Sequence, residues 1–190
     1  MQMPEKTVAV RLPRAPGVRA GALLAVALAA FFVVWLVMRH GNESTTPRAT
    51  TGAVSASEAD LKHLAGSLSY PVYWAGPKSG TTYELTHLAD GRVYIRYLAS
   101  ANELGDTHPN YLTVGTYPRQ HGFAELQRAA RRPGAVKYRL AHGGLVYFNR
   151  GLPTNVYFSF RGAHYQVEVF DPTARVARNL VLGGKIRPIR

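Results

Sequence analysis

The spacing of apolar positions along the chain changes character three times. Residues 20–38, "AGALLAVALAAFFVVWLVM", have no period at all, being uncharged and almost wholly apolar. As a helix this run extends about 28 Å, close to the hydrocarbon thickness of a bilayer. Arg19 and Arg39 close it on either side, and Trp35 lies near one end, where interfacial aromatics are favoured. A buried helix of a soluble domain and the apolar region of a cleaved signal peptide are both normally shorter. No small-residue cleavage site follows closely, since the nearest candidate is Val54-Ser55-Ala56. The pattern predicts a single uncleaved transmembrane helix.

Residues 39–54 lose the apolar signal. "GNESTTPRATTGA" is small and polar and reads as a flexible stalk. Ser55 with Glu58 three residues on is a capping-box pattern that opens a short helix to about Ala65. From there the period falls to two. Val93, Ile95 and Tyr97 alternate with Arg92, Tyr94 and Arg96 after the turn Leu88-Ala89-Asp90-Gly91, which predicts a hairpin over residues 82–98. A second hairpin over residues 155–170 turns at Arg161-Gly162. A strand near Val136 to Leu140, with Lys137 and Arg139 outward, turns through His142-Gly143-Gly144 into "LVYFN", and Tyr111 to Tyr117 is a further strand.

Two more helices complete the picture, one over residues 122–132 and one with Asp171 as N-cap, Pro172 in the first turn and a stop at Gly183-Gly184. The predicted order is helix, about four strands, helix, about four strands, helix. Short turns between strands imply an antiparallel sheet. The predicted class is α+β: a sheet of about six to eight strands with two or three helices over residues 55–190, after a cytoplasmic basic arm (1–19), the transmembrane helix (20–38) and the stalk (39–54).

Charge adds an orientation and an asymmetry. The arm carries Lys6, Arg11, Arg14 and Arg19 against Glu5 alone, which places the N-terminus in the cytoplasm and the domain outside it. The net charge is +12. Residues 39–118 hold 6 Lys/Arg against 7 Asp/Glu, a balance of −1, whereas residues 119–190 hold 13 against 3, a balance of +10. The basic half suits anionic lipid headgroups or a cell-wall polymer, or serves as a solubilising surface. Arg128, Arg131 and Arg132 fall together on the second helix. The chain has no cysteine, which removes disulfides, thiol nucleophiles and CxxC metal or redox sites.

Catalytic signatures are missing from the local spacing. The seven histidines form no HxH, HxxxH or HExxH pair, so no metal or other cofactor is predicted. "GPKSG" at residues 76–80 is neither a nucleophile elbow nor a phosphate loop, because it leads into a strand. Asp106 and His108 share the loop "ELGDTHPN" and could serve as base or ligands; turn geometry explains them as well. Ser57 reads as exposed helix surface. Glu84 and Glu168 alternate with core positions and should point to the solvent side, where cross-strand partners such as Arg92 or Arg96 are in reach. Cations interleaved with aromatics in "KYRL" and "RVYIRY" could contact nucleic acid, but the extracytoplasmic side argues against that partner.

The stretch "YPVYWAGP" at residues 70–77 raises one further possibility. Alternation places Val72 and Trp74 on one face of a short edge strand, with Trp74 in the core, and Tyr73 on the other face as a binding candidate. With Lys78 in the following loop, Tyr94, Arg96, Arg128, Arg131 and Arg132, it makes up the candidate binding set. "YPVYWAGP", "YELTHLADGRVYIRYL", "LTVGTYP" and "YQVEVFDP" together resemble membrane-anchored envelope proteins of high-GC bacteria over residues 61–190. That resemblance implies the anchor and carries over no site residue. The closing hairpin and helix are also similar, at the level of fold only, to envelope lipid-carrier and sensor domains. The expected role is a non-catalytic, membrane-anchored binding, sensing or envelope-assembly domain. A carrier or scaffold for anionic lipid or wall polymer, and a hydrolase with a dispersed site, are the alternatives.

Overall fold

The computed structural model describes residues 52–190, and the predicted arm, the predicted transmembrane helix and nearly all of the predicted stalk lie outside them. No helix among the described residues is long and apolar enough to cross a membrane. The element order is β1 (Val54–Ala56), α1 (Glu58–Ser67), β2 (Tyr73–Trp74), β3 (Thr82–His87), β4 (Val93–Leu98), β5 (Thr113–Pro118), α2 (Gly122–Ala129), β6 (Ala135–Arg139), β7 (Gly144–Asn149), β8 (Leu152–Phe160), β9 (Tyr165–Phe170), α3 (Ala174–Leu182) and β10 (Arg187–Pro188). The alternation of four strands and a helix is as predicted. Two short strands, β1 and β10, are additions to it.

Eight strands form one antiparallel sheet in the order β1-β3-β4-β5-β9-β8-β7-β6. Hairpins account for β3–β4, β6–β7, β7–β8 and β8–β9; the long-range pair β5–β9 joins the two halves, with Thr113 opposite Phe170 and Pro118 opposite Tyr165. Gly91 takes a positive φ of 86° in the β3–β4 turn, the backbone state that Asp-Gly accommodates at little cost. Four antiparallel steps separate β5 from β6, so they run in the same direction. Their connection must cross a face of the sheet, and α2 makes that crossing over β7, β8 and β9.

One face carries the core. Val93, Ile95, Val114, Val146, Phe148, Val156, Phe158, Val167 and Val169 project from it. They meet Leu61 of α1, Ala177 and Val181 of α3, and a two-stranded clasp in which β10 pairs with β2. The Ile189 N–H donates to the Val72 carbonyl (2.8 Å) and the Tyr73 N–H to the Thr116 hydroxyl (3.0 Å), which fixes the clasp across the sheet. Leu126 of α2 is also buried but stands apart from this core. Ser159 is fully buried although its parity points it away from the core. Both facts place α2 on the opposite face, over the ends of β7, β8 and β9.

Several expected boundaries shift for local reasons. Ser55 pairs with Glu84 in β1 and is no longer free to cap α1. Ser57 takes that place, so it is not idle helix surface. Its N–H donates to Asp60 Oδ2 (2.8 Å), and the Asp60 N–H donates to its hydroxyl (3.2 Å). Asp171 does not cap α3, because its N–H continues the strand ladder to the Thr154 carbonyl. Thr173 stands at the N-cap instead, its N–H held by Asp171 Oδ1 (2.8 Å). α2 stops at Ala129, three residues short of the expected end, and Arg131 and Arg132 lie in turns ahead of Pro133, which disfavours helix in the residue before it.

Candidate functional site

The face opposite the core is built by register. A single row crosses seven strands: Thr86, Tyr94, Gly115, Glu168, Tyr157, Tyr147 and Lys137 stand side by side. Gly115 matters here for its missing side chain. A Cβ at that position would sit 2.9 Å from the Tyr117 hydroxyl oxygen, so the glycine clears the space in which that ring lies. Tyr117 packs edge-on against Tyr94 (centroids 5.6 Å apart) and donates its hydroxyl hydrogen to Glu168 Oε2. Glu168 Oε1 accepts from the Asn155 amide (2.6 Å) and from the Tyr157 hydroxyl (2.8 Å). Burial, and then the Glu168 charge, push the Tyr117 and Tyr157 phenols well above their ordinary range.

Glu84 is satisfied differently. It is 2% exposed, not solvent-facing as its alternation suggests, because the segment between β4 and β5 folds over it. Arg96 Nη1 reaches Glu84 Oε1 at 2.6 Å and the Gly105 N–H donates to Oε2 at 2.6 Å. The guanidinium also lies 4.7 Å from the Tyr111 ring centroid, within cation–π range. Arg96 is thus committed inside the domain. In the same segment Asp106 Oδ1 meets His108 Nδ1 at 2.6 Å, and its Oδ2 accepts from the Tyr111 hydroxyl (2.7 Å). The His108 N–H, then Tyr111 and the imidazole, hold the Asp106 carboxyl below the usual range, and Tyr111 is pushed up to about 12. His108 is 74% exposed and bonds through its ring to Asp106 alone, so no serine joins the pair.

The remaining candidate residues separate. Tyr73 is buried, not displayed. Its ring meets Phe158 edge-on at 5.3 Å and its hydroxyl shares a hydrogen bond with Tyr165 (3.0 Å), because the clasp lies directly on the sheet. Trp74 is buried too, against Tyr83 (6.1 Å). Lys78 is exposed at the rim of an open cleft of about 500 Å³ with Glu103, Asn110, Tyr111 and Asp171. Neither Asp106 nor His108 lines it. No group of three or more metal-ligating His, Asp or Glu side chains occurs among the described residues.

Arg128, Arg131 and Arg132 do come together, and they gain neighbours. Turns carry the chain from α2 through Pro133-Gly134 straight into β6, with the Ala135 N–H on the Arg132 carbonyl (3.2 Å). The Arg150 N–H donates to the Gly134 carbonyl (2.9 Å) and the Asn149 amide to the Pro133 carbonyl (3.3 Å), which ties the β7–β8 turn to the same corner. Lys137 and Arg139 extend the patch along β6. All six cations are exposed. Among the described residues the three ion pairs lie within residues 84–108, and none of the 13 cations of residues 119–190 has a carboxylate partner. The three arginines of the α2 segment were visible in the sequence; Arg150 joins through a backbone bond that no local pattern reports. No protein-family model matches the chain, and comparison with curated proteins and with solved structures yields no match.

Proposed function

We propose that this chain is a single-pass, membrane-anchored domain with a non-catalytic binding or envelope-assembly role, displayed on the extracytoplasmic side. It holds an anionic partner at the corner formed by the α2 terminus, β6 and the β7–β8 turn. The observation that carries this reading is the absence of ion pairing in the second half of the domain: among the described residues none of its 13 cations meets a carboxylate. Charges left in this state attract polyanions and anionic surfaces. The anchor comes from the apolar run at residues 20–38.

Retention of the full chain, held in neutral detergent, on immobilised polyglutamate tests the proposal. Salt should release it, and replacing Arg128, Arg131, Arg132 and Arg150 by Gln should lower the salt needed. Each cation beside an anionic surface is worth about 1 kcal/mol, or roughly fivefold in affinity. Unchanged elution of the fourfold variant would remove the site. A second reading, a scaffold for anionic lipid or wall polymer, draws on the same unpaired cations. It requires that proteoliposomes of neutral lipid carrying the chain capture anionic acceptor vesicles or an anionic polysaccharide.

A further inference from the structure

Among the described residues β6 is the end strand of the sheet, with β7 on one side and no strand on the other. The ladder defines which of its backbone groups are free. The Leu140 N–H bonds to the Gly144 carbonyl (2.8 Å) at one end, and the Arg150 N–H to the Gly134 carbonyl (2.9 Å) at the other. Bonded and non-bonded pairs alternate along an antiparallel ladder. Both ends therefore agree that Val136 and Tyr138 bond to β7, while Lys137 and Arg139 turn their N–H and C=O groups outward. This is an open template for another strand.

Side chains on β6 specify what such a strand would look like. Lys137 and Arg139 stand on the outer face, where Lys137 ends the row that contains Glu168. Tyr138 stands on the core face, stacked on Phe148 (6.3 Å) and 42% exposed, with apolar ring surface at the very edge. A second copy of β6 would set Lys137 and Arg139 against like charges, which opposes self-pairing. A strand with carboxylates on the outer face and apolar side chains toward Tyr138 meets both requirements. We propose that β6 is a strand-addition site for an extended peptide in which acidic and apolar residues alternate. The inference rests on the basic corner being the binding surface and names the partner it receives.

The test uses the full chain in neutral detergent and a labelled nine-residue peptide of alternating glutamate and valine, read by fluorescence anisotropy. Lys137→Ala removes one charge and should weaken binding about fivefold. Lys137→Pro removes the same charge and one outward N–H, and its ring occupies the edge; proline is tolerated where the N–H faces solvent. It should weaken binding a further tenfold or more. A peptide N-methylated at alternate residues keeps its charge and should lose binding to the unsubstituted protein by at least tenfold. Equal binding of the methylated and unmethylated peptides would overturn strand addition and leave the basic-corner reading standing. Failure of the plain peptide to bind while polyglutamate is retained has the same meaning. Loss of both probes at low salt would overturn the two together.

Discussion

Glu84 on β3 and Glu168 on β9 lie on the same face of one sheet, yet the two halves around them neutralise a carboxylate by different means. At Glu84 a partly buried arginine supplies the charge, a backbone N–H completes the shell, and the segment between β4 and β5 closes over the carboxylate. At Glu168 two phenols and an amide supply hydrogen bonds and no cation takes part. The difference extends to the surface. Around Glu84 the arginines are spent on internal partners: Arg96 on Glu84 and Arg92 on Asp90 (2.7 Å). In residues 119–190 only three carboxylates stand against 13 cations, and tyrosines hold Glu168, so the cations there remain unpaired.

The largest effect that would break this contrast is at Glu84. Replacing it by Ala leaves the partly buried Arg96 without its carboxylate and should cost about 3 kcal/mol, read as a fall in the denaturant midpoint. Combining it with Arg96→Met should recover part of that loss, since the stranded charge is gone. Glu168→Ala removes three hydrogen bonds but strands only neutral donors, so about 2 kcal/mol is expected. A denaturation series against pH sharpens the point. Tyr117 and Tyr157 are held neutral in the folded state, so they contribute stability that is whole below the ordinary tyrosine value of 10.0. It is lost as pH rises from there towards their raised folded values. Tyr117→Phe should flatten the decline. The smallest effect is at the basic corner: Arg131→Gln with Arg132→Gln should leave stability within about 0.5 kcal/mol while lowering the salt needed to elute the chain from polyglutamate.

Alternation and turn chemistry made most of the fold legible. Period-two spacing located β4, β8 and β9, Asp90-Gly91 placed the first hairpin, and Gly183-Gly184 ended the last helix. Local pattern fails where the partner is distant. Tyr73 alternates as an exposed residue should, and only the clasp from β10 and the ring of Tyr165 bury it. Glu84 likewise has the spacing of a surface residue, and a segment some twenty positions away covers it. For the site, Arg128, Arg131 and Arg132 could be read from one helical segment. Arg150 could not, because the bond that draws it in joins two backbones. The tyrosine row around Glu168 needed the β5–β9 register, which no spacing within either strand reveals.

The clasp also bears on the order of events in folding. β2 finds its partner in β10, more than a hundred residues further along the chain, whereas every hairpin closes across a few. Closing so long a loop adds entropy cost and slows the step that depends on it. The hairpins should therefore assemble first, with Val72, Tyr73 and Trp74 left uncovered until Ile186 and Ile189 arrive. During that interval the core face is open, and the intermediate at greatest risk of aggregation is a sheet already paired but still waiting for its clasp.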